Sequence, residues 1–329
     1  MNRNSPDCYV EPSTEVSLND TRELITYIRA LPQSSTAPNH EARVQPIITP
    51  RFAIACTDDL LAGLGDLAAS EPDVRIQTHI SEIPSEVSLT RELFPSAPSY
   101  AGVYDMFGLL RNNTVLGHAV HLSRDEMELI KSRDAGVSHC PTSNFNLNSG
   151  VAPVGVFLDM GIKVTTVNDF FWGGHSLRPR PKVGLGTDVS GGYSISILNA
   201  IQNASIASKV ISISHRDTKP PAPSTPIGFA NKQLPIPTLL YLATVGGAKV
   251  CNLENQIGDF TVGKSFDALL VSVRGEVGNP GVWGIQSDDA SSDKKKLLLT
   301  WLERFLLCGD DRNIRRVYVQ GKLVGGKEF

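Results

Sequence analysis

The sequence contains few cysteines, and their arrangement excludes a fold held together by disulfides. Five thiols are scattered over 329 residues, at Cys8, Cys56, Cys140, Cys251 and Cys308. Their odd number and the absence of any Cys-x-x-Cys pair are typical of free thiols in a reducing compartment. We therefore predict a cytoplasmic protein whose cysteines are structural.

The sequence also lacks a strong charge of either sign and a long apolar run. Its net charge is −3, which gives no reason to expect nucleic acid as a partner. No run of about 18 apolar residues is present, so we predict no membrane span. Residues 1–7 are polar and lack the apolar core of a signal peptide. With 41% hydrophobic residues, the composition is that of an ordinary globular protein with a large core.

Apolar segments alternate with amphipathic ones along most of the chain. The predicted strands are 44–52, 74–79, 114–118, 136–140 and 183–188. The predicted helices are 19–30, 58–69, 100–110, 124–133, 154–160, 191–212 and 235–251, with Thr57 and Ser123 as N-caps. Strands and helices that alternate every 20–40 residues indicate βαβ units, so we predict an α/β fold with a parallel sheet.

The C-terminal part differs from this pattern. Segments 266–273 and 316–324 are strand-like, and the second contains a Gln-Gly turn. Between them, Ser292 begins a predicted helix that runs to Cys308 and stops at Gly309. We predict a small β module beside the α/β region.

Four consecutive predicted strands end on a metal ligand or an acid. They lead to His79, His118, His139 and Asp188, and Glu82 follows His79 by three residues. The C-terminal ends of parallel barrel strands meet at one rim. Hydrolysis by a metal-bound water needs ligands and a carboxylate that moves protons. The pattern predicts a metal site of His79, His118 and Asp188, with Glu82 as the proton shuttle.

Zinc is the natural ion for histidine and aspartate ligands around an activated water, and iron is the alternative. His139 has two interpretations: it contacts the substrate, or it only forms hydrogen bonds within the loop 140–144. The histidines interpreted as structural, surface or loop residues are His40, His121, His175 and His215.

From about residue 41 to 329 the sequence resembles guanine deaminases, a branch of the metal-dependent amidohydrolase superfamily. The segments that carry the resemblance are 46–52, 77–82, 117–118, 138–144, 186–193, 242–247 and 309–314. Histidine and aspartate at strand ends indicate only the superfamily. Pro-Arg-Phe at 50–52, Gly-Gly-Tyr at 191–193 and Gly-Asp-Asp-Arg-Asn-Ile at 309–314 favour the guanine deaminase branch.

The resemblance implies a TIM (β/α)8 barrel with a small β-sandwich, one zinc per chain, guanine as substrate and a homodimer of the complete protein. The reaction would convert guanine and water to xanthine and ammonia in purine catabolism. His79 and Asp188 would bind zinc, and His118 would lie beside the zinc-bound water and the substrate. Glu82 would pass a proton from that water to the purine. Arg51 would hydrogen-bond the base and Phe52 would pack on it, with His79 and Glu82 also facing it.

The sequence departs from the family because it has no His-x-His pair, which supplies two zinc ligands at the end of the first barrel strand. We therefore expect a truncated, inactive chain. Residues 1–255 would form a partial barrel without strands 1–3. Residues 256–329 would form sandwich remnants and a helix that packs on the barrel.

Residues 165–182 interrupt the approach to the last barrel strand and resemble a translated intron. We expect them to be irregular and exposed.

Two other functions remain open. The first is another amidohydrolase, such as an adenosine- or triazine-type deaminase or chlorohydrolase, although Arg51 and the loop 191–193 argue against it. The second is a non-catalytic fragment, which the missing His-x-His pair favours. The metal content of the purified chain would distinguish these functions.

Overall fold

The computed structural model describes residues 1–32, 42–160, 182–216, 228–283 and 293–326. The α-helices in these ranges are α1 (Thr14–Ala30), α2 (Asp58–Ser70), α3 (Pro84–Leu93), α4 (Tyr100–Met106), α5 (Arg124–Ser132), α6 (Pro141–Asn146), α7 (Val154–Asp159), α8 (Ile197–Ser214), α9 (Ile236–Tyr241), α10 (Gly247–Val250) and α11 (Lys294–Cys308). The strands are β1 (Ile47–Ile48), β2 (Arg75–Ile80), β3 (Thr114–His118), β4 (Gly136–His139), β5 (Val183–Leu185), β6 (Ala268–Val271), β7 (Ile314–Val319) and β8 (Lys322–Gly325). A π-helical turn, Leu242–Gly246, joins α9 to α10.

The first five strands form one parallel sheet in the order of the sequence, β1-β2-β3-β4-β5. Their register places Ile80 of β2 opposite His118 of β3, and Ser138 of β4 opposite Gly184 of β5. The strand side chains Ile76, Leu116 and Val183 are fully buried, as expected for a parallel sheet covered by helices. The predicted α/β fold is confirmed.

Two helices begin where their capping residues predict. The Thr57 hydroxyl accepts a hydrogen bond from the backbone N–H of Leu60 at 3.3 Å, so α2 starts at Asp58. Ser123 and Glu126 cap each other's backbone N–H groups at the start of α5. The apolar side chains Leu60 and Leu61 of α2, and Met127 and Ile130 of α5, are buried in the hydrophobic core.

Several predicted boundaries were wrong. The strand predicted over 44–52 is limited to Ile47–Ile48, because Pro50 has no N–H for a ladder and Arg51 turns its carbonyl oxygen to the N–H of His79 at 3.1 Å. The strand predicted over 183–188 ends at Leu185, and the chain reverses at Asp188 with φ of 44°. Helices α3 and α6 were missed, although both begin with a proline in the first turn, which is a helix-start signal.

The C-terminal strands form a separate antiparallel sheet in the order β6-β7-β8. Gln320 and Gly321 adopt φ of 48° and 75° between β7 and β8, so the predicted Gln-Gly turn is confirmed. Leu306 of α11 is buried in the main core, with Phe305 packed against that core. This helix therefore ties the C-terminal region to the α/β region.

Some predictions fall outside the described residues. These are the irregular insert, of which only Lys182 is described, and the positions of His40 and His175. None of the described helices combines the length and apolar character needed to cross a membrane.

Candidate active site

The predicted site residues meet beyond the C-terminal ends of β2, β3 and β5. His79 lies in β2 with Glu82 just after it, His118 ends β3, and Asp188 follows β5. They open onto a cavity of about 280 Å³. Its lining also includes Arg51, Phe52, Ile83, Leu147 and Gly191. The sequence therefore placed these side chains correctly at one rim of the sheet.

His79, His118 and Asp188 present three potential metal ligands to one point. The Nε2 atom of His79 lies 3.8 Å from Oδ1 of Asp188, and Nε2 of His118 lies 3.8 Å from Oδ2. The ligand atoms of the three residues all lie within 4.8 Å of one another. The two imidazole rings stack with centroids 5.1 Å apart. Two imidazole nitrogens and a carboxylate oxygen are ligand types that zinc binds.

The buried imidazole of His118 gives an independent test of whether a cation fits here. Its Nδ1 contacts Oδ1 of Asn144 at 2.9 Å. Its Nε2 is buried and has no hydrogen-bond partner among the described residues. A buried nitrogen without a partner is costly. A metal ion beside Asp188 would satisfy it, so the donors fit a bound cation.

Electrostatics near the surface of this site also favour a positive charge. Burial lowers the pKa of His79. The contacts with the Asp188 carboxylate and the Arg51 carbonyl together raise that pKa by more than burial lowers it, so the net shift is upward. Burial raises the pKa of Asp188, while the contacts with His79 and Ser143 lower it more. Asp188 is therefore held as a carboxylate, the form that binds metals.

Strained backbone is concentrated at the same rim. Ser81, His118 and Asp188 have φ of 50°, 69° and 44°, in the left-handed region that side chains rarely adopt. Such conformations persist where the surrounding structure enforces them, and they cluster at functional sites. Here they turn the ends of β2, β3 and the loop after β5 toward the shared cavity.

Glu82 lies beside the three donors without belonging to them. Its Oε1 accepts a hydrogen bond from the Ser149 hydroxyl at 3.2 Å and lies 3.6 Å from Nδ1 of His118. Its backbone N–H donates to the buried Glu86 carboxylate at 2.8 Å. The carboxylate is thus anchored at one edge of the cavity and partly open to it, as a proton-transfer group requires.

Arg51 and Phe52 line the cavity beside His79. The Arg51 carbonyl oxygen lies 2.5 Å from Nδ1 of His79, which leaves Nε2 of that ring facing Asp188. The Phe52 ring meets the His79 ring edge-on at 6.2 Å, and the Arg51 guanidinium lies 5.7 Å from the Phe52 ring centre. An exposed guanidinium next to an aromatic ring is an arrangement that can bind a ligand with a flat, polar ring.

Neither interpretation of His139 finds support among the described contacts. It is buried, lines a separate cavity of about 20 Å³, and has no hydrogen-bond partner at Nδ1 among the described residues. Burial, with a smaller effect of His118, lowers the pKa of His139 to about 3, so the ring is neutral. His121 was correctly predicted as a loop residue, and its Nε2 contacts the Ser149 carbonyl at 2.8 Å.

The sequence did not predict the buried residues that hydrogen-bond to the site residues. Tyr104 is fully buried, donates to the His79 carbonyl at 2.8 Å and accepts from the Ala53 N–H at 2.9 Å. Ser143 donates to Oδ2 of Asp188 at 2.7 Å. Only the Cys-Pro-Thr-Ser-Asn motif at 140–144 gave any signal for such residues.

The profile of the amidohydrolase family matches residues 5–324. The chain belongs to the amidohydrolase family. Among amidohydrolase relatives, a probable guanine deaminase of Schizosaccharomyces pombe is 43% identical over 332 residues, which cover 100% of this chain and 54% of that protein. A guanine deaminase of Dictyostelium discoideum is 37% identical, covering 98% of this chain and 60% of that protein.

A solved amidohydrolase structure has the same fold. The crystal structure of guanine deaminase from C. acetobutylicum, with guanine bound in its active site, superposes with a TM-score of 0.75 at 31% identity. The match covers 99% of this chain and 64% of that chain. This amidohydrolase chain therefore spans between about half and two thirds of the proteins it matches.

Proposed function

We propose that this chain is the part of a guanine deaminase that carries the acid and part of the metal site. The observation that supports the proposal is the convergence of His79, His118 and Asp188 with Glu82, in a cavity that Arg51 and Phe52 also line. The relatives named guanine deaminases support guanine as the substrate, which the reaction would convert with water to xanthine and ammonia.

We propose zinc as the metal, with iron as the alternative. His79, His118 and Asp188 would hold it, and the unpartnered Nε2 of His118 supports this assignment. A bound zinc ion supplies a water of lowered pKa and polarises the group under attack. The proposed ligands do not include Glu82, which is left available for proton transfer.

The chain's own residues account for the rest of the reaction. Arg51 would orient guanine by hydrogen bonds from its guanidinium, and Phe52 would pack on the ring system. Glu82 would take a proton from the attacking water, place it on the ring nitrogen, and then help protonate the departing amine at C2. The Ser149 contact keeps the Glu82 carboxylate turned into the cavity.

We propose that this chain contains two portions of the larger protein. Residues 1–255 form the barrel portion, and residues 256–329 form the sandwich portion with its helix. We further propose that the complete protein is a cytoplasmic homodimer.

The decisive experiment uses this chain fused behind a guanine deaminase segment that carries a His-x-His pair, which we call the completed protein. We expect it to release ammonia and xanthine from guanine, and to act far more slowly on adenosine and on an aminotriazine. Preference for either of those compounds would favour another amidohydrolase activity. Absence of turnover with zinc bound would favour a non-catalytic role.

Gly191 provides a test of the Asp188 geometry. A Cβ atom at this position would lie 2.5 Å from Oδ2 of Asp188 and 2.7 Å from Oγ of Ser143. In the completed protein, Gly191→Ala should therefore displace Asp188 and weaken zinc binding by about 10- to 100-fold. The matched control is Gly275→Ala, where an added Cβ has nothing within 4 Å. Equal zinc affinities in competition titrations would show that Gly191 does not constrain Asp188.

A further inference from the structure

A buried glutamate contacts the backbone of the proposed proton-transfer residue, and the proposed reaction gives it no role. Glu86 belongs to the first turn of α3, and its exposed fraction is only 7%. It nevertheless lines the same cavity as Glu82. Glutamate is rarely buried unless its carboxylate is paired, so the partners of Glu86 indicate what it does.

Three groups of the described structure donate hydrogen bonds to the Glu86 carboxylate. Its Oε2 accepts from the backbone N–H of Glu82 at 2.8 Å and from that of Ile83 at 3.2 Å. Its Oε1 accepts from the Tyr100 hydroxyl at 2.5 Å. Burial is the largest of the effects that raise the pKa of Tyr100 well above its usual value, so the phenol stays protonated and acts as the donor. Both oxygens of Glu86 have partners, which hold the carboxylate in one orientation.

Helix capping explains only part of this arrangement. A glutamate at the third position of a helix commonly reaches back to the N–H of the N-cap residue, which here is Ile83. The shorter contact, however, goes to Glu82, which precedes the N-cap. The carboxylate of Glu86 therefore binds the backbone of the turn that carries Glu82, as well as the start of α3.

The same turn is also bound by the loop after β3. The carbonyl oxygen of Ser81 accepts from the N–H groups of Val120 and His121 at 3.1 and 3.0 Å. Ser81 is fully buried and has φ of 50°, in the left-handed region. Such a conformation persists only where the surrounding structure enforces it. The loop after β3 binds the carbonyl oxygen of Ser81, and Glu86 binds the next two N–H groups, so the turn is fixed by two separate segments.

We propose that Glu86 is a positioning residue whose carboxylate fixes the turn 81–83, so that the Glu82 carboxylate faces the cavity. Tyr100 contributes by holding the Glu86 side chain in place. The inference rests on the proposed function for the role of Glu82 in proton transfer. A displacement of about 1 Å at a reacting group can lower a rate by about 10²-fold, so loss of the Glu86 contacts should appear in kcat.

The first test measures the turn itself and needs no guanine. In the completed protein, amide deuterium exchange resolved by residue should show that the N–H groups of Glu82 and Ile83 are protected. Glu86→Gln keeps an oxygen that can accept from both groups, so it should keep this protection. Glu86→Met has a similar length but no such acceptor, so both amides should exchange about 10- to 100-fold faster, as expected when a hydrogen bond to a charged group is lost. Unchanged exchange in Glu86→Met would overturn the proposal.

The chain offers a second variant and a matched control for this test. Glu86→Met removes the acceptor of the buried Tyr100 hydroxyl, and removing both partners of a buried hydrogen bond costs less than removing one. If Glu86→Met does not fold, Glu86→Met combined with Tyr100→Phe takes its place, with the same expected exchange. The control is Asp159→Ala. Its carboxylate also accepts from two consecutive backbone N–H groups, those of Phe229 and Ala230 at 2.6 Å each, but it does not line the cavity. Faster exchange at residues 82 and 83 in this control would overturn the assignment to Glu86.

The second test measures guanine turnover and zinc content of the same proteins. We expect kcat of Glu86→Met to fall about 10²-fold with zinc still bound and a much smaller change in KM, whereas Glu86→Gln and Asp159→Ala stay close to the unaltered protein. An unchanged kcat in Glu86→Met, or a loss confined to KM, would overturn the positioning role. If the exchange at residues 82 and 83 depends on Glu86 as expected, but the unaltered completed protein leaves guanine unchanged, the proposed substrate alone is refuted.

Discussion

Glu82→Gln in the completed protein should lower guanine turnover by about 10²- to 10⁴-fold, the usual contribution of a general acid–base group. Glutamine keeps the shape of the side chain and can still accept the Ser149 hydrogen bond. It cannot take up a proton from water, so both proton transfers assigned to Glu82 are lost. Zinc should remain bound, because Glu82 is not one of the three converging donors.

The comparison needs both kcat and the zinc content of each protein. Glu92→Gln is the matched control, because Glu92 is an exposed glutamate near the end of α3. It should leave both quantities unchanged. If Glu82→Gln retained most of the turnover, another group would have to move the protons. If the variant lost its zinc, Glu82 would be a zinc ligand itself or would hold a zinc ligand in place.

The location of the site could be predicted because parallel strands impose a simple rule. Each buried strand is an apolar run, and the residues that follow it must reach the same edge of the sheet. This rule alone predicts that His79, His118 and Asp188 lie together. The capping residues Thr57 and Ser123 fixed two helix starts for an equally local reason.

The supporting contacts could not be predicted, because they depend on packing between distant segments. Asn144 meets His118 across 26 positions of sequence, and Tyr104 meets His79 across 25. Short helices such as α6 carry too few residues for a clear apolar period. The sequence left two interpretations of His139 for the same reason, since its burial is a property of the assembled core.

Zinc binding should differ sharply between the 329-residue chain and the completed protein. A catalytic zinc is usually held by three protein ligands and water, and His118 would have to serve as the third here. Within the described residues, β1 pairs only with β2 and β5 only with β4, so both edges of the sheet are open. Open edges promote aggregation, which further weakens a site built at the rim.

We therefore expect the 329-residue chain alone to bind zinc weakly, to show little or no guanine turnover, and to aggregate in size-exclusion chromatography. The completed protein should hold one zinc per chain and be active. His79→Ala in that protein should remove zinc and activity together, whereas His215→Ala, at an exposed position after α8, should not. Robust ammonia release by the 329-residue chain would show that His79, His118 and Asp188 suffice for the reaction, and that a His-x-His pair is not required.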